Sequence, residues 1–335
     1  MIRALKRIII SRTDAIGDVI LTLPMAGLIK KYNPDVEIVF LGKDYTEHIV
    51  KSSSFVDVFM SWDKIKDLEK SEQISIFKKI NADAIVHVFP NKTIAHISKK
   101  ANIKFRIGTS HRPFHWLTCN KQINLGRKKS NLHESQLNIK LLSVLGIETN
   151  IALREIPILY GFTPNQSMPE SLSRLLDKNK FNLILHPKSH GSAREWGMHN
   201  FTNLVDLIDE TKFKVFITGT EKEKVHIGEL LNHSKVTDLT AQLSLEELIA
   251  FISNADGLVA ASTGPLHIAS AFAKKAIGIY PPIRPMHPER WAPIGVKADF
   301  LVVNKVCNDC RNGSFCSCIQ EITPEHVIAK LEQNG

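Results

Sequence analysis

Residues 7–18 read Arg7-Ile8-Ile9-Ile10-Ser11-Arg12-Thr13-Asp14-Ala15-Ile16-Gly17-Asp18, an apolar run that stops at a polar turn and is followed by a helix-period segment, Ile20–Tyr32. The run Arg7–Ser11 has no polar alternation, as expected of a strand buried on both faces in a helix-covered parallel sheet. The rhythm recurs. Further strands are expected at Glu37–Leu41, Ala84–Phe89, Asn182–His186, Lys214–Thr218, Leu258–Ala261 and Ala276–Tyr280, and further helices at His133–Leu145, Phe201–Asp209, Leu245–Asn254 and Pro265–Ala273. Strands alternating with helices imply an α/β protein with doubly wound sheets.

The chain has 335 residues, about twice the usual domain size, so two domains are expected. Pro157, Pro164 and Pro169, mixed with Ser and Asn, mark a linker before the strand at Asn182. The boundary is placed between residues 165 and 166, giving Rossmann-like domains at 1–165 and 166–335 that face one another across a cleft. The last helix is free to pack back on the N-terminal domain. A composition of 43% hydrophobic and 23% charged residues excludes a disordered chain. The uncharged stretches Val19–Ile29 and Gly257–Ala273 fall short of the roughly 18 apolar residues of a membrane span. Three consecutive Ile near the N-terminus are too few for a signal-peptide core, so the cytoplasm is the expected compartment.

Charge is unevenly placed. The net +9 resolves into +10 over residues 1–150 and −1 over residues 151–335. Between Ala84 and His133 there is no acidic residue, but there are ten Lys/Arg: Lys92, Lys99, Lys100, Lys104, Arg106, Arg112, Lys121, Arg127, Lys128 and Lys129. An anionic partner is expected for this half.

Ligands of doubly wound sheets lie beyond the carboxyl ends of the strands, so the loops that follow strands carry the chemistry. In Ser11–Asp18, Gly17 permits a tight turn and Asp18 falls near a helix N-terminus, as a general base or, with Asp14, merely as a cap. In His186–Trp196, Lys188, Ser189 and Arg194 offer cations, hydroxyl and backbone N–H groups suited to a diphosphate, although a plain surface loop would look similar. Neither the G-x-x-x-x-G-K-[ST] phosphate loop nor the G-x-G-x-x-G fingerprint is present. In Thr218–Glu223, an acidic residue such as Glu223 could receive ribose hydroxyls or simply lie on a solvated helix face. In Ala261-Ser262-Thr263-Gly264-Pro265-Leu266-His267, Ser262 or Thr263 can cap the next helix, Pro265 fits its first turn, and the N–H groups of Thr263 and Gly264 suit phosphate. His267 reaches that phosphate or is a core histidine.

Together the stretches R-x-D-A-I-G-D-V-I-L-T-L-P, H-P-K-S…E-W and S-T-G-P-L-H-I-A-S-A resemble the bacterial heptosyltransferase family that builds the inner core of lipopolysaccharide, and the resemblance runs nearly end to end. It implies the GT-B glycosyltransferase fold, an N-terminal domain for the acceptor, a C-terminal domain for the ADP-heptose donor, and inverting transfer that requires no cofactor and no metal. On this resemblance Asp18 is the catalytic base. Lys188, Ser189, Arg194, Glu223, Ser262, Thr263, Gly264 and His267 bind the donor. Asp14, Lys99, Lys100, Arg106, Arg112, Lys128 and Lys129 meet an anionic glycolipid acceptor, Kdo–lipid A or heptosyl core, at the inner face of the inner membrane. Ser262 stands where the family has Asp, which bears on the donor sugar. The other readings are a nucleotide-sugar epimerase of the same fold, or a non-catalytic nucleotide-sugar or nucleic-acid binder. No zinc-finger, homeodomain or RNA-recognition signature favours nucleic acid. Finally, Cys307, Cys310, Cys316 and Cys318 have a spacing that could enclose a structural zinc.

Overall fold

The apolar runs assemble into two all-parallel sheets. The computed structural model describes residues 1–127, 130–284, 286–305 and 316–333. The chain divides into two compact units, Met1–Thr163 and Pro164–Gly335. The first unit holds β1 (Arg7–Ser11), β2 (Glu37–Gly42), β3 (Val58–Ser61), β4 (Ala84–His87), β5 (Phe105–Thr109) and β6 (Lys121–Ile123), in the order β3-β2-β1-β4-β5-β6. The second holds β7 (Phe181–His186), β8 (Phe213–Ile217), β9 (Val236–Asp238), β10 (Gly257–Ala261), β11 (Lys275–Tyr280) and β12 (Asp299–Val302), in the order β12-β11-β10-β7-β8-β9. Counted from each unit's own first strand, both follow 3-2-1-4-5-6, the doubly wound dinucleotide-fold order.

All seven strands expected from apolar runs are present. The five that the sequence hides have a physical explanation. β3, β6, β9 and β12 are sheet edges, three or four residues long and only partly covered. An edge strand needs no continuous apolar run. β5 lies inside the sheet, but Arg106 and Gly108 interrupt its run.

The expected helix Ile20–Tyr32 is two helices, Ile16–Ile20 and Pro24–Tyr32, because Pro24 has no N–H to continue the ladder and instead starts a new helix. The second helix lies so close to the 3-10 turn Pro157–Leu159 that a Cβ on Gly27 would sit 2.2 Å from the Leu159 carbonyl oxygen. That turn opens the proline-rich stretch, yet its continuation is bound into the first unit. Ser53 Oγ donates to Tyr160 O at 2.7 Å, and Thr163 N donates to Ser52 O at 2.8 Å. Each unit has its own core. Ile9, Val39, Ile85, Phe77 and Ile94 cluster in the first, and Leu185, Val259, Trp196, Phe201 and Val327 in the second. The last helix, Pro324–Glu332, is seated in that second core through Val327 and Leu331.

Candidate active site

The winding direction reverses between β1 and β4, and again between β7 and β10, so the crevices beyond those strands' carboxyl ends are the places for ligand. In the first unit, Ser11 ends β1 in register with His87 of β4, and the chain then releases Arg12–Asp18.

Arg12 organises that loop. Only 4% of its side chain is exposed, and its guanidinium meets three carboxylates: Asp14 at 2.7 Å, Glu134 at 3.4 Å, and Asp18 through a short Nη2–Oδ1 contact. Glu134 is almost wholly buried and also bonds Arg127, whose Nη2 reaches Asn138 Oδ1 at 3.0 Å. Asn138 Nδ2 donates to Leu21 O at 3.1 Å and Thr22 Oγ1 at 3.2 Å, and Thr22 Oγ1 donates to Asp18 O at 2.8 Å. The ring is closed: Asp18 is held through its carboxylate by Arg12 and through its backbone by Thr22. A buried guanidinium left unpaired would be costly, so its fork dictates where the carboxylates point. Burial pushes the Asp14 carboxyl up to about 6, with Arg12 opposing and Asp18 adding to the rise.

Asp18 sits in the first turn of Ile16–Ile20, as expected, but neither carboxylate caps it. The N-cap is Ala15, with no side-chain bond, because both acids are drawn to Arg12. Gly17 is likewise not a turn residue; it lies within the helix. Arg12 and Glu134 were not singled out from sequence. A cation immediately after an apolar strand was a usable signal for Arg12. Nothing local joins it to Glu134, 122 residues away.

In the second unit, β10, β7 and β8 are consecutive neighbours, so three of the expected loops leave one edge together. Thr263 is the N-cap of Gly264–Ala271, with Pro265 in the first turn, yet its side chain makes no capping bond. Its buried Oγ1 has no hydrogen-bond partner among the described residues. Beside it lie the first N–H groups of an eight-residue helix, which have no intrahelical acceptor. Ser262 does not cap the helix either, since the N-cap is Thr263. His267 is buried one turn in.

The loop after β7 is folded around Glu195. Ser189 N and Oγ donate to Glu195 Oε1 at 2.9 and 3.1 Å, and Lys188 Nζ pairs with Glu195 Oε2. The turn at His190 and Gly191 uses left-handed backbone, φ 49° and 75°. Arg194 is half-buried in the same loop. Trp196, at its end, is core: it stacks edge-on against Phe201 and donates to Ile322 O at 2.7 Å. Glu223 is buried, not solvated. Its Oε2 accepts from Thr220 N at 2.8 Å and Thr220 Oγ1 at 3.0 Å, a helix-capping arrangement, while Oε1 lies 3.7 Å from His190 Nε2.

The remaining expected residues divide. Arg112 follows β5 and lies on the same sheet edge as Asp18, exposed. Lys99 and Lys100 occupy the last turn of helix Lys92–Lys100, which returns the chain to the opposite edge of the sheet, as every parallel crossover helix must. Arg106 faces that opposite edge too, bonding Thr118 O at 2.7 Å and Ile103 O. Acceptor contact at Lys99, Lys100 and Arg106 is therefore not supported by their placement. Lys128 and Lys129 lie outside the described residues, as do Cys307 and Cys310. Cys316 and Cys318 are buried in the second core.

Known proteins place the chain in a family. Residues 80–316 match the model of glycosyltransferase family 9 (heptosyltransferase). A Haemophilus influenzae protein whose name goes no further than glycosyltransferase is 26% identical over 304 residues, covering 87% of this chain and 86% of its own. The lipopolysaccharide core heptosyltransferase OpsX of Haemophilus influenzae is 24% identical over 286 residues, 82% and 79% of the two chains. The solved structure of Escherichia coli ADP-heptose LPS heptosyltransferase II shares the fold, with TM-score 0.75 at 16% identity over 97% of each chain. With the family matched over most of its length and the GT-B architecture present in both units, the chain belongs to glycosyltransferase family 9 and is a glycosyltransferase.

Proposed function

We propose that the protein moves a sugar, heptose foremost, from an ADP-sugar onto an anionic inner-core lipopolysaccharide acceptor, Kdo–lipid A or heptosyl core, at the cytoplasmic face of the inner membrane. The observation that carries this reading is the carboxylate of Asp18, oriented by buried Arg12 at the switch point of the first sheet. The names of relatives such as the lipopolysaccharide core heptosyltransferase support the substrate class.

Asp18 accepts the proton of the acceptor hydroxyl as its oxygen forms a bond to the anomeric carbon. The bond from that carbon to the diphosphate oxygen breaks, with inversion, and the nucleoside diphosphate leaves with the electron pair. Its charge is met by Arg194, by Thr263 Oγ1 and by the N–H groups of Thr263 and Gly264. Lys188 contributes less, because Glu195 already offsets its charge. Asp14 and Arg112 stand beside the acceptor. No metal takes part in the step.

The test is Asp18→Asn with ADP-heptose and Kdo–lipid A, read as turnover and, separately, as calorimetric ADP affinity. Transfer is expected to fall at least about a thousandfold, with ADP affinity unchanged. Undiminished turnover, or activity lost to a chelator and restored by a divalent cation, overturns the corresponding part of the reading. A panel of ADP- and UDP-sugars tests the donor, for which Ser262 leaves no carboxylate at the family's Asp position.

A further inference from the structure

Helices Lys92–Lys100 and Pro113–Thr118 pack side by side over one face of the first sheet, joined beneath by the buried rings of His87 and His115, 5.6 Å apart. Their outward faces carry an odd mixture. Trp116 is 64% exposed and Leu117 72% exposed, far more than bulky apolar side chains ordinarily are in a well-covered unit. The exposed side chains of Lys92, His96, Lys99 and Lys100 line the neighbouring helix, and Lys99 Nζ donates to Leu117 O at 2.7 Å. The stretch from Ala84 to His133 has no acidic residue, and among the described residues Lys92, Lys99, Lys100 and Arg112 have no ion-pair partner. Trp116 Nε1 donates to Ser110 O at 2.7 Å, which satisfies the indole's polar atom and leaves its hydrocarbon edge outward.

We propose that this outer face docks the protein on a lipid bilayer that contains anionic headgroups, with Trp116 and Leu117 inserted at the headgroup–acyl boundary and the surrounding cations on the phosphates. Indole rings favour that boundary, and lysine and arginine reach from it to the headgroups. A second copy of the chain is a poor occupant: the same cations would face one another. Two apolar side chains are also far from the roughly 800 Å² per partner of a stable protein interface. Trp116, Leu117, Lys99 and Lys100 lie in the last turns of their helices, away from the sheet edge that holds Asp18, and leave that edge clear. The proposal deepens the proposed function by naming the surface that meets the membrane, but it does not depend on the sugar transferred.

Co-sedimentation of the full chain with vesicles free of any acceptor sugar tests it. The wild type is expected to bind vesicles of phosphatidylcholine mixed with phosphatidylglycerol, to ignore pure phosphatidylcholine, and to release as salt is raised. W116S/L117S should weaken binding at least about tenfold while its melting temperature and its transfer to a delipidated, water-soluble acceptor stay at wild-type values. K99E/K100E should weaken binding to the anionic vesicles several-fold. Equal binding by W116S/L117S, no binding by the wild type, or a dimer in solution that W116S/L117S dissociates would each overturn the docking. Because D18N should lose transfer yet sediment with vesicles as the wild type does, failure of the docking and failure of the transferase reading are separately visible.

Discussion

Two side chains carry most of the chemical information, and each does so by what it lacks or resists. Thr263 Oγ1 is buried without a hydrogen-bond partner among the described residues. A buried hydroxyl in that state costs stability unless a ligand completes it. Thr263→Val should therefore leave the melting temperature unchanged or slightly raised while weakening ADP binding roughly tenfold, about 1.4 kcal/mol; calorimetry beside thermal melts reads both. A parallel loss of stability would mean that the hydroxyl serves the fold.

Asp14 makes the opposite kind of statement. Its folded pKa, about 6, lies above the ordinary 3.8, so the folded state holds its proton more tightly than the unfolded chain does. Its stabilising effect is complete below about 4 and disappears as pH rises through about 6. Asp14→Asn removes that dependence. Relative to the variant, the wild type should lose up to about 3 kcal/mol between those limits, read from urea midpoints at several pH values. Parallel pH curves would show that Asp14 titrates normally.

The elements explain why these residues sit where they do. β1 ends in register with β4, and β10 with β7, so loops far apart in the chain leave one edge together. Helix Pro24–Tyr32 is pressed against the turn Pro157–Leu159 at Gly27, where an added methyl would overlap a carbonyl oxygen that cannot rotate away. Gly27→Ala should cost about 1–3 kcal/mol of first-unit stability, visible as a lowered denaturation midpoint. Because this helix follows the short helix that carries Asp18, turnover should fall more than ADP affinity. A variant as stable as the wild type would mean that the turn moves freely.

Each unit has its own doubly wound sheet and its own core, and the three donor loops all belong to the second. A fragment spanning residues 164–335 should therefore fold cooperatively and bind ADP with nearly the affinity of the whole chain, while showing no transfer. Circular dichroism and calorimetry on the fragment check this. A fragment that is folded but blind to ADP would show that the first unit completes the nucleotide site.

Much of the fold is legible in the sequence. Continuous apolar runs announce strands buried on both faces, because no other element needs so short and so uniform a stretch, and seven strands were read in this way. The motif loops, Asp18 and the Thr263–Gly264 helix start could be named for the same local reason. Edge strands could not, since a half-covered strand leaves a weak pattern. Nor could the tie from Arg12 to Glu134 and Arg127, or the separation of Lys99 and Lys100 from Asp18. Those depend on which strands become neighbours and which edge a helix returns to. Composition and spacing thus determined the α/β fold class and the loops in which the candidate groups lie. Only the tertiary structure decided which charges meet and which face outward, because pairing across a sheet joins residues that share no local pattern.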